Sequence, residues 1–119
     1  MKKVKGMVAQ ARQGDVFMFT VSEYKRIFGK LPEKGEEIQP KNGRLIIAEG
    51  EATGHYHSLP ASDGKLFAVA GMMGMMLLEA RRKTVLSHQE HGALPVPSGR
   101  IVFARQTEET EWGKSLVRD

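Results

Sequence analysis

The four histidines of the chain fall into two tight pairs, His55-Tyr56-His57 and His88-Gln89-Glu90-His91. Imidazole titrates near neutrality and is the commonest metal-ligating side chain, so paired imidazoles point to metal or acid–base chemistry. Histidines scattered at random would seldom pair twice with none left over. On a strand, residues i and i+2 share a face about 7 Å apart. His55 and His57 can therefore lean toward one ion while Tyr56 faces the other way. His88 and His91 stand three apart, which suits a helical turn or a strand end running into a loop. Sheet pairing that joins the two pairs would supply three or four nitrogen ligands, His55, His57, His88 and His91.

Glu49, Glu51 and Glu90 lie near these pairs in sequence. Imidazole suits Zn, Cu, Fe and Ni, and added carboxylate shifts the balance toward Fe or Mn. The expected cofactor is thus a divalent transition metal (Zn, Fe, Mn, Ni or Cu), with Glu90 or Glu51 as the catalytic base acting on a small-molecule substrate. An alternative chemistry needs no metal. Two histidines can pass protons on either side of a phosphodiester, in a nuclease-type reaction, with Arg100, Arg105 or Lys83 holding the anionic oxygens. A third reading is an interaction module whose histidines form a plain polar edge.

The elements that must position these residues read as short strands. Asp15–Val21, Leu45–Ala48, Lys65–Ala70, Met73–Glu79, Lys83–His88, Arg100–Arg105 and Lys114–Val117 are apolar or β-branched runs. They are separated by turn signals such as Asn42-Gly43, Asp63-Gly64 and Pro97-Ser98-Gly99. Ser22 to Phe28 is the exception, a short helical turn capped by Ser22 and ended by Gly29. Residues 29–43 read as a long polar loop. The pattern predicts an all-β fold, a small single-domain β-barrel or β-sandwich over residues 1–119. Met72, Met73, Met75 and Met76 are expected to fill the core, because strand alternation splits them between two faces and keeps four thioethers from meeting.

The stretch Gly50 to His57 resembles the first motif of the cupin superfamily, which places a glycine a few residues before a His-x-His pair. Pro97-Ser98-Gly99 resembles the Pro-x-Gly turn of that family's second motif. The resemblance implies a double-stranded β-helix in which His55 and His57 are metal ligands. In the family a third histidine follows the Pro-x-Gly turn; here His88 and His91 precede Pro97 and stand as substitutes. A Gly-His-x-His followed by a His-x-x-His also resembles small bacterial and phage proteins of unassigned function.

Composition narrows the classes further. Cysteine is absent, which excludes disulfides, thiolate zinc sites, iron–sulfur clusters and a cysteine nucleophile. Eighteen basic against fourteen acidic residues leave a charge of +4, spread over both halves of the chain. That balance suits an anionic substrate. Nucleic acid is the lesser expectation, because aromatics make up only 7% and no stacking module is recognisable. The lysine-rich start has no apolar stretch behind it, and Leu66–Leu78 is too short for a membrane helix. A cytoplasmic protein is expected. A chain of 119 residues leaves little room for a pocket inside one subunit, so a homodimer sharing the site is the expected assembly.

Overall fold

The structure, a computed structural model, describes residues 12–49 and 54–105. Its main element is a six-stranded antiparallel sheet. The strands in chain order are β1 (Arg12–Gln13), β2 (Val16–Thr20), β3 (Lys34–Ile38), β6 (Gly64–Val69), β7 (Met75–Ala80) and β10 (Gly99–Arg105). In space they run β1-β2-β10-β7-β6-β3. Two hairpins form a second layer, β4 (Arg44–Glu49) with β5 (Tyr56–Pro60) and β8 (Thr84–Leu86) with β9 (Leu94–Val96). A paired bridge between Ser58 and Ser87 joins them.

Strand alternation explains why the central strands are apolar throughout. The register aligns Leu66, Leu78 and Ile101 across β6, β7 and β10 on one face. It aligns Phe67, Leu77, Val102 and Phe19 across β6, β7, β10 and β2 on the other. The first face packs against Leu45, Ile47, Leu59, Leu86 and Val96 of the second layer. The opposite face is covered by helix α1 (Val21–Phe28), which lays down Val21, Tyr24, Ile27 and Phe28. With both faces buried, no strand in the middle of the sheet can alternate apolar with polar.

The fold is all-β with one helix, as expected, but the large sheet is not closed into a barrel: β1 and β3 remain its edges. Residues 29–43 are not all loop. β3 pairs with β6, and its backbone bonds need no apolar side chains, so Lys34, Glu36 and Glu37 stay in water on the edge strand. The helix cap is Thr20, not Ser22. The Thr20 side chain accepts from the Glu23 amide at 3.1 Å, and the Glu23 carboxylate accepts from the Thr20 amide at 2.8 Å. This is the Thr-x-x-Glu box that Thr20-Val21-Ser22-Glu23 carries openly. Met75 is buried under the helix and Met76 is turned to the opposite core, while Met73 is 84% exposed. The run at Lys114–Val117 and Glu51 lie outside the described residues. Among the described residues, no helix is long and apolar enough to cross a membrane.

The turn from the large sheet into the second layer decides where the site forms. Asn42 and Gly43 both take positive φ, 52° and 76°, and Lys41 and Arg44 exchange backbone bonds around them at 2.8 and 3.0 Å. A two-residue turn of this hand suits the twist of the strands it connects. It starts β4 at Arg44 and aims it across the core.

Candidate functional site: a histidine cluster beside a polar cleft

β5 presents His57 toward the end of the sheet where β1 turns into β2, and the loop between β8 and β9 presents His88 and His91 there. All four imidazoles meet. The His57 ring centroid lies 4.4 Å from that of His88 and 5.9 Å from that of His91, whose ring is nearly parallel to it. His88 lies 4.5 Å from His91 and 5.8 Å from His55. The convergence expected from the two sequence pairs is present.

Two residues that sequence spacing did not single out complete the cluster. Gln13, at the end of β1, donates through Nε2 to the carbonyls of Leu86 at 2.9 Å and Gly92 at 2.8 Å. This pins both ends of the histidine loop. Its Oε1 can only accept, so the 2.8 Å bond to His57 Nδ1 is donated by the imidazole. His57 therefore carries its proton on Nδ1 and offers a bare Nε2. That Nε2 stands 3.4 Å from Asp15 Oδ1. Asp15 is held in turn by the Arg105 guanidinium, whose Nε donates to Oδ2 at 3.1 Å.

Protonation decides what this pair is. His57 is 3% exposed. Burial, with His88 adding to it, drives its pKa down to about 4 against the opposing pull of Asp15. At neutral pH the ring is neutral, so two acceptors, a bare nitrogen and a carboxylate oxygen, face each other. Gly14 makes room for this arrangement. Its φ is +57°, and a Cβ there would come within 2.7 Å of His91 Nε2.

His88 has the opposite tautomer. Its Nδ1 accepts from the amides of Glu90 at 3.0 Å and His91 at 3.3 Å, so the neutral ring bears its proton on Nε2. Burial and the neighbouring His91 and His55 hold its pKa below the ordinary value. His55 touches the cluster only through His88, with Nδ1 3.6 Å from the largely exposed Glu90 carboxylate. Among the described residues, no three of these side chains stand where one ion could take them all as ligands. With His57 Nε2 and Asp15 Oδ1 already 3.4 Å apart, coordination by three groups requires rotation of His91, which is exposed.

The candidate cations divide. Arg105 is at the cluster through Asp15. Arg100 lies five residues back along β10, about 17 Å away by strand rise, opposite Glu79. Lys83 sits exposed in the turn before β8. A different pair of cations adjoins the histidines. A cleft of about 490 Å³ is lined by Lys41, Arg44, Ile46, Tyr56 and His88, with Glu49 also on its wall. His88 thus faces the cluster on one side and the cleft on the other.

Fold and site together define a small two-layer β domain with a helix on its back and an imidazole cluster at one end. Residues 12–106 match the model of a domain of unknown function, DUF8820. The chain belongs to that family. No curated protein and no solved structure matches it.

Proposed function

We propose that the protein binds a divalent transition metal at the histidine cluster, with His57 and Asp15 as the anchoring ligands and His91 as the third. The observation that carries the reading is the pair of acceptors, His57 Nε2 and Asp15 Oδ1, 3.4 Å apart with no proton to share at neutral pH. Two donors each about 2.05 Å from an ion at the tetrahedral angle are about 3.4 Å apart. The bond from His57 Nδ1 to Gln13 supports the same assignment, because a ligating imidazole commonly gives its other N–H to a fixed carbonyl. Arg105 does the equivalent for Asp15. His55, the partner of His57 in the cupin-like motif, is the outer member and pairs with Glu90.

The bound ion would supply Lewis acidity or an activated water. The chain's own residues fix the rest. Gln13 sets the His57 tautomer, Arg105 orients the carboxylate, and His88 offers a proton from Nε2 at the wall of the cleft. The His88 tautomer also favours a second reading, in which its Nε2–H acts without metal as a hydrogen-bond donor to charge developing on a bound anion.

The test is elemental analysis and thermal unfolding of the untagged protein, with Asp15→Asn and His57→Gln beside the parent. Near-stoichiometric metal in the parent, lost in both variants, is the expected result. Metal added at about a hundred times its Kd should stabilise the parent by roughly 2.7 kcal/mol. No metal and no stabilisation by Zn, Fe, Mn, Ni or Cu would overturn the reading and leave the metal-free His88 donor in its place.

A further inference from the structure

We propose that the cleft beside His88 is a binding site for a small organic anion, with the anionic head on Arg44 and Lys41 and the body over Ile46 and Tyr56. The proposal goes beyond metal binding and does not need it.

Arg44 is the centre of the argument. It begins β4 on the face turned away from the core, half-buried, and its guanidinium is fixed by the neighbouring strand. Nε donates to Ser58 Oγ at 3.2 Å and Nη2 to the Ser58 carbonyl at 3.1 Å. Among the described residues no carboxylate pairs with it, so its remaining N–H groups are oriented but unneutralised. A guanidinium held in one geometry can engage two oxygens of a carboxylate or phosphate without first losing side-chain freedom. Lys41 stands across the two-residue turn from Arg44, exposed, and lines the same cleft. The turn, closed by its own two backbone bonds, keeps the two cations at one end.

The other walls give the ligand its remaining chemistry. Ile46 lies two residues beyond Arg44 on the same face of β4, about 7 Å along the strand, and provides an apolar floor with Tyr56. Ile46 is opposite Ser58, and Ser58 is bridged to Ser87, so the line from Ile46 to Ser87 crosses three strands. At about 4.8 Å per strand this spans roughly 10 Å, the width of a single ring with its substituents. His88 follows at once. Glu49 lies at the far end of β4 and selects against a second negative charge there. The cavity is at the small end of the range for small-molecule sites. It fits a singly headed anion with an apolar or ring-bearing body whose far side meets the Nε2–H of His88.

The experiment is a titration of the full-length protein, in chelator and about 0.15 M salt, with phenyl phosphate in one arm and benzoate in the other, followed by amide NMR shifts. The expected result is saturable shifts in residues 44–46, 56–58 and 87–89 with at least one of the two probes. The arm that binds tighter identifies the head group as phosphate or carboxylate. Lys41→Gln, an exposed change that leaves the fold intact, should weaken binding several-fold, and Arg44→Gln about tenfold or more. Lys65→Gln, outside the cleft, should leave it unchanged. No saturable shift with either probe at about 10 mM, or affinities equal in the parent and both cleft variants, would overturn the proposal. Because metal is absent throughout, this outcome is independent of whether the histidines hold an ion.

Discussion

Acidifying the metal-free protein should destabilise it through His57, by an amount the site defines. Unfolded, the ring takes a proton as the pH falls through about 6.5; folded, burial and His88 delay that until about 4. Between these values the unfolded chain binds more protons than the folded one, so stability falls as pH falls. Integrating the two titrations from pH 7 to 4.5 gives a loss of about 2.5 kcal/mol. For a domain of this size, with m about 1.5 kcal/mol/M, the urea midpoint should drop by roughly 1.7 M. Acidification acts on the whole protein, so the quantity to read is the difference between the parent and His57→Gln. Both proteins would be unfolded in urea with chelator at pH 7, 6, 5 and 4.5, followed by circular dichroism. The parent should lose about 2.5 kcal/mol more than the variant. A difference under about 0.5 kcal/mol would refute the argument that burial outweighs the Asp15 carboxylate. So would a His57 ring pKa at or above 6.5 by NMR titration.

Other substitutions probe neighbouring parts of the same reasoning. Gly14→Ala places a methyl against His91 Nε2 at a backbone φ of +57°; we expect about 1–2 kcal/mol of destabilisation in urea and weaker metal retention by dialysis. The Tyr24 hydroxyl, fully buried between the helix and the sheet, has no hydrogen-bond partner among the described residues. Burial raises its pKa. Tyr24→Phe removes that unpaired group and should raise stability by about 1 kcal/mol, roughly 4 °C in Tm by calorimetry, whereas a fall would mean the hydroxyl is satisfied in solution.

Several features were legible in the residues because local physics governs them. β2, β4, β6, β7 and β10 follow from β-branched and apolar runs, and the turn at Asn42-Gly43 from the need for two positive φ values. The helix is legible as well, but Ser22 reads as its cap from sequence because the Thr20-to-Glu23 box overlaps the end of a strand. β3 was hidden for a related reason. An edge strand pairs through its backbone, and a Lys-Gly-Glu-Glu sequence that stays in water has no apolar pattern to reveal it.

The histidine pairing was a sequence property, and so was the conclusion that the pairs could converge. What they converge on was not. Gln13 and Asp15 lie more than forty residues from His57 in the chain, and only the meeting of the β1–β2 turn with β5 and the histidine loop puts them there. That meeting fixes the two imidazole tautomers, because Gln13 Oε1 can only accept and the Glu90 and His91 amides can only donate. It also buries His57, which holds the ring neutral well below the pH at which an exposed imidazole would gain a second proton. The sequence determined which groups were available for chemistry; tertiary structure decided their protonation and which cations stand beside them. Desolvation and hydrogen-bond direction arise between segments distant along the chain, so no local spacing encodes them.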